Sequence, residues 1–178
     1  MILHGITSQG RRCAFLARGA LKSKKRFAGG VLDPLQYIEV VATVSAKKDS
    51  LMNLDEAHLI DGFDELRTNY DLLEAAFWAT DIVGKISTED DPNNKSLFDL
   101  LGHGLKTLKG DLDPDIFKIH FGLKVLHAQG VLQTDEWMLP YLERPLSDCQ
   151  AISDSAVRNH VDWIEYQFRI YISRAELL

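Results

Sequence analysis

Seven of the seventeen residues from Arg11 to Phe27 are Lys or Arg, and no acid interrupts them. Guanidinium and ammonium groups at this density neutralise phosphates and release the cations condensed on a polynucleotide, which makes binding strong and salt-sensitive. The candidate contacts are Arg11, Arg12, Arg18, Lys22, Lys24, Lys25 and Arg26. Phe27 adjoins the run and is the candidate ring for stacking on a base, whereas Phe15 lies within an apolar strand and reads as core. The alternative is a solvated loop with no ligand at all. Contrast with the rest of the chain argues against it. Residues 1–48 carry a net charge of +7 and the remaining 130 carry −13, for −6 overall. Such asymmetry points to a polyanion-binding module joined to something else.

Other chemistry finds no support. His120 and His127 stand two helical turns apart, and no HExxH, paired Cys or carboxylate cluster accompanies them or His103. Glu89, Asp90 and Asp91 lack the glycine and terminal Glu of a calcium loop. No GxSxG, phosphate loop or GxGxxG occurs, so the expectation is a protein that is not an enzyme and needs no cofactor or metal. Cys13 and Cys149 are far apart and share no ligand spacing, which argues against a disulfide or zinc framework and for a reducing cytoplasm. No apolar run reaches the roughly 18 residues of a membrane span, and MILHGITSQGRR does not resemble an export signal.

The elements that must position the basic run read as strands. Cys13, Phe15 and Ala17 mark a short strand over 12–18, and LQYIEVVATV over 35–44 is rich in β-branched and aromatic residues. A third strand covers 51–60, with the polar break AKKDS at 46–50 before it. After Ile60 the periodicity turns helical: 64–86, then 97–108 with Ser96 as its cap, then 115–129, then 155–173. The helix over 115–129 is announced by Asp113 as N-cap and Pro114 at the first position, and it stops at Gly130. Residues 133–153 are polar and broken by proline. The expected architecture is α+β: a small barrel or sandwich over 1–60 followed by an all-α domain over 61–178.

ARGALKSKKRFAGGVLDPLQYIEV, residues 17–40, resembles the RecO family of bacterial recombination mediators, as does FKIHFGLKVLHAQGV, residues 117–131. The resemblance implies an OB-type barrel before a helical domain, and binding of single- and double-stranded DNA near the nucleoid. It also implies strand annealing and loading of RecA onto DNA coated by single-stranded-DNA-binding protein (SSB). RecR and the SSB C-terminal tail would be direct partners. An acidic tail with an apolar end needs a hydrophobic pocket with basic flanks. Lys118, His120 and Lys124, beside the stripe Ile116, Ile119, Leu123 and Leu126, are the candidates, the alternative being plain bundle core. Two departures stand out. ILHGITSQGRR already looks like the family's second strand, so either the start lies upstream or the barrel is incomplete. Many relatives carry four cysteines near 133–153, where this chain has only Cys149, so the pattern does not support a zinc site. Two rival readings remain open: an adaptor that has lost DNA binding, and an RNA-binding protein of the same fold.

Overall fold

The computed structural model describes residues 1–20, 23, 25–44, 51–88, 91, 93–110 and 112–175. Four strands come first: β1 (Ile2–Ile6), β2 (Arg12–Leu16), β3 (Tyr37–Thr43) and β4 (Leu51–Asp61). They form one mixed sheet in the order β1-β2-β4-β3. β1 and β2 make an antiparallel hairpin, β3 and β4 another, and β2 joins β4 in parallel through Ala14–Leu51, Phe15–Met52 and Leu16–Asn53. The expected order of strands before helices is met. Among the described residues the sheet stays open, with β1 and β3 at its edges.

The alternation in β2 does what the sequence says it should: Cys13, Phe15 and Ala17 are buried, and Ala14 and Leu16 are half-buried. Their partners are Phe27, Val31, Leu54 and Ala57, a thin core of its own. β3 buries no residue completely. Two register shifts, at Tyr37/Ile38 and Val41/Ala42, let β3 follow β4. The turn expected at 46–50 lies outside the described residues.

Among the described residues five helices build the second layer: α1 (Tyr70–Ile86), α2 (Asn94–Leu108), α3 (Pro114–Ala128), α4 (Leu139–Glu143) and α5 (Val157–Ala175). The helix expected over 64–86 is divided in two. Asp64–Thr68 is a 3-10 turn, and the Asn69 side chain accepts from the N–H groups of Asp71 and Leu72 to start α1 afresh. Ser96 is not a cap, because α2 begins two residues earlier, at Asn94. Asp113 caps α3 as expected, accepting from the Asp115 N–H at 2.8 Å. Residues 136–151 are a chain of short helical pieces, Glu136–Met138, α4 and Leu146–Ala151, interrupted around Pro145.

α3 is the central helix, and Gly122 shows how tightly it is held. A Cβ there would lie 2.6 Å from Ile164 Cγ2 of α5. Phe117, Ile119, Phe121, Leu123 and Val125 are fully buried, so α3 has no free face.

Candidate nucleic-acid interface

β2 carries the basic run into two separate places. Arg11 sits at the hairpin end of the strand and Arg18 just beyond the other end, both exposed. At about 3.3 Å per residue the seven steps between them span roughly 23 Å, close to seven phosphates of one strand counted along a duplex axis. Lys25 and Arg26 are exposed on the segment that returns past Arg18. Lys22 and Lys24 lie outside the described residues.

The arginines differ in what they already hold. Arg26 donates from Nη2 to the Arg18 carbonyl at 3.0 Å and from Nε to Ser23 Oγ at 3.2 Å, and its guanidinium lies 5.3 Å from the Phe27 ring centre. It thereby folds the basic segment against the end of β2. Arg12 donates from Nη1 to the Ser87 carbonyl at the end of α1, at 2.8 Å. Arg11 and Arg18 make no side-chain hydrogen bond or ion pair among the described residues. Burial pushes the Cys13 thiol up, with the nearby charge of Arg11 opposing it.

Phe27 is not a stacking platform. Its ring is 4% exposed, its backbone bridges to Ala57 of β4, and the Ala57 N–H donates to the Arg26 carbonyl at 3.2 Å. The short β2 leaves the side of β4 beyond Asn53 unpaired, and this segment fills it. The ring therefore joins the sheet core with Phe15. On the far face of the β3–β4 hairpin, register sets Glu39 opposite His58 and Val41 opposite Glu56. Phosphates would meet like charge there, in contrast to the ends of β2, where the exposed bases lie.

The trio expected to rim a tail pocket does not form one, because α3 is enclosed. Lys118 is 8% exposed and pairs with Glu74 at 2.6 Å. His120 is fully buried, with Nε2 3.1 Å from the Arg144 carbonyl and Nδ1 without a partner among the described residues. Burial pushes its imidazole below its usual range, which favours the neutral form. Lys124 donates to the Leu142 carbonyl at 2.6 Å, and burial lowers its ammonium too. These groups tie α3 to α1 and to the 139–144 segment.

Three features escape a reading of the sequence. A groove of about 360 Å³ lies between α1 and α5, floored by Trp78, Ile82, Phe168 and Ile172 and flanked by Lys85 and Arg169. Lys109, at the end of α2, binds both oxygens of Asp61 and reaches Glu65 at 3.3 Å, fastening β4 to the helices. Asp154 accepts from Tyr141 and faces His160 Nδ1, each at 2.6 Å, while Trp137 stacks on His160 with ring centres 3.8 Å apart. Helical spacing marks Trp78–Ile82 and Phe168–Ile172 as neighbouring pairs, but nothing local announces that they share a groove. Among the described residues no group of three or more His, Cys, Asp or Glu is placed to hold a metal ion. No described helix is long and apolar enough to cross a membrane.

No protein-family model and no solved structure matches the chain. Curated proteins do. The DNA repair protein RecO of Desulfatibacillum aliphaticivorans is 30% identical over 149 residues, 83% of this chain and 54% of that protein. RecO of Halalkalibacterium halodurans is 29% identical over 67% of this chain and 45% of its own length. RecO of Desulfosudis oleivorans is 33% identical over 58% and 39% respectively. The chain thus spans about half the length of the curated relatives it matches.

Proposed function

Because this chain belongs to the RecO family of DNA repair proteins, we propose that it is a non-enzymatic DNA-binding mediator of recombinational repair. In this reading the open sheet is the OB-type module of residues 1–60. Arg11, Arg18 and Lys25, with Lys22 and Lys24, neutralise the phosphates of single- or double-stranded DNA. Arg12 and Arg26 contribute charge while their guanidinium groups serve acceptors within the protein. Neutralised strands approach one another, which promotes annealing. The acidic helical domain, 61–178, then supplies the protein contacts, to RecR and to SSB, that lead to RecA loading in the cytoplasm. The observation that carries the proposal is the set of exposed bases at the two ends of β2, in a chain whose net charge is −6.

The test is anisotropy of labelled single-stranded DNA over a series of salt concentrations, with annealing of complementary strands followed alongside. Expected is salt-dependent binding that accelerates annealing, and Arg18→Ala with Lys25→Ala flattens the slope by about two units. Absence of binding at low salt rejects the proposal and favours the adaptor reading, which the internal engagement of Arg12 and Arg26 supports. Equal competition by matched RNA assigns the contacts to the backbone of either nucleic acid.

The SSB tail fits the α1–α5 groove better than α3. The floor is apolar, and Arg169 and Lys85 flank it, although Glu165 also lines it and Lys85 pairs with Asp81 at 2.7 Å. An acidic peptide displaces the exposed Asp81 at little cost, since such surface pairs contribute about 1 kcal/mol or less. Arg169→Glu abolishes capture of a tail peptide if the groove is its site. Undiminished capture sends the site elsewhere.

A further inference from the structure

We propose that Arg12 is a positioning residue that pins the β1–β2 hairpin to the α1–α2 corner and so fixes where Arg11 meets DNA. This inference rests on the DNA-binding reading above and assigns Arg12 a different task from its neighbour.

The joint is built on both sides of the turn. Gly10 is buried, with φ +80°, and a Cβ there would lie 2.5 Å from the backbone nitrogen of Lys95 at the start of α2. Only a residue without a side chain lets the turn come so close. The turn itself is closed by Gly10 N–H to Thr7 O at 2.8 Å and Thr7 N–H to Arg11 O at 2.9 Å. Ile6, at the end of β1, packs against the helical core. On the other side Arg12 reaches the carbonyl of Ser87, the C-cap of α1, which is 1% exposed. A cation suits that place, because the last carbonyls of a helix lack partners and carry its partial negative charge. The Ser87 hydroxyl is spent on Val83 O at 2.6 Å, and Asn94 Nδ2 holds Thr88 O at 2.6 Å, so the corner presenting that carbonyl is itself braced.

The bond to Ser87 takes one of the five N–H donors of the guanidinium and fixes its direction, so a phosphate that drew the side chain away would leave this buried carbonyl short of a donor. Arg11, next in sequence and free of side-chain partners among the described residues, is the group the joint delivers.

The experiment compares Arg12→Gln, Arg12→Ala and Gly10→Ala in the full chain, reading DNA affinity against salt together with amide hydrogen exchange at Thr7–Arg11. Gln has no charge and keeps an amide donor, on a side chain two bonds shorter than that of Arg. Expected is affinity within about twofold of wild type for Arg12→Gln, and a loss of roughly tenfold for Arg12→Ala, the scale of a lost charged hydrogen bond. Gly10→Ala loses affinity with every charge intact, and both damaging variants speed exchange in the turn. Equal losses for Gln and Ala, each with a salt slope lower by about one, make Arg12 a phosphate contact and overturn the proposal. So does exchange in the turn that Arg12→Ala leaves unchanged. If the wild type binds no DNA, the functional reading fails separately, and exchange alone decides whether the pin exists.

Discussion

The helical layer buries its side chains in depth, whereas the sheet buries a thin seam. Around α3 the aromatic rings of Phe117, Phe121, Trp78 and Phe168 meet, and Tyr141, Met138 and Cys149 close the bundle from the side. The sheet has Cys13, Phe15, Phe27, Val31 and Leu54, with Ala17 and Ala57 between them. The charges are divided in the opposite way. The sheet module carries the concentrated positive charge and the helical one the acids. A small core leaves little reserve against the mutual repulsion of clustered bases, so the sheet leans on its neighbour. Lys109–Asp61, Arg12–Ser87, the Gly10 turn against Lys95 and the edge-on pair Tyr37–Phe98 are among the points of support.

The largest test of this contrast is a pair of truncations. Phe121→Ala costs about 3–5 kcal/mol and lowers the urea midpoint of the whole molecule. Phe15→Ala, 9% exposed in the thinner core, costs less and loosens the sheet while helical circular dichroism persists. Equal losses with one shared transition would erase the distinction between the layers. Next in size is the double change Arg18→Ala with Lys25→Ala. It removes about two units of salt slope from DNA binding and leaves stability within about 0.5 kcal/mol, as exposed positions do. A fall in stability would make these bases structural.

A smaller effect concerns acid. Burial works to raise the Asp154 carboxyl, but hydrogen bonds with Tyr141, His160 and the Ala156 N–H outweigh it and hold the group below the usual carboxylate range. A depressed acid stabilises the fold above its unfolded value, and that contribution is lost as pH falls through the folded value. The window therefore lies below about pH 4. Thermal melts from pH 7 to pH 3 should show a shallower acid limb in Asp154→Asn than in wild type; parallel limbs would remove Asp154 from acid sensitivity. Smallest is a reactivity. Burial, with the Asp113 charge added, pushes the Cys149 thiol up to about 12. Alkylation at pH 8 accordingly waits for unfolding, and rapid labelling in native buffer would show a looser side to the bundle.

Much of the scaffold was legible because its signals are local. Asp113-Pro114 and Gly130 bracket α3, and the β-branched run over 35–44 became β3. The candidate site was visible as a charge pattern but not as a geometry. Adjacency to basic residues made Phe27 look exposed, yet its neighbour in space is Ala57, thirty positions on. Lys118, His120 and Lys124 suggested a rim because a sequence shows one helix at a time; the four helices packed around α3 decide otherwise. Residues 136–151 resisted assignment for the same reason, since Tyr141 is held by Asp154 and Trp137 by His160.

The bond from Arg12 to Ser87 spans 75 positions of chain. At about 5–20 residues per second of synthesis, roughly 4–15 seconds separate the two ends of that bond at the ribosome. β2 likewise waits for β4 to supply its parallel partner, because such a pairing needs the intervening chain first. A segment made earlier than its partners is thus among the last to reach its native setting. Its folding is timed by the helices that follow it, and the emerging hairpin spends that interval with one strand edge and its positive charge uncovered.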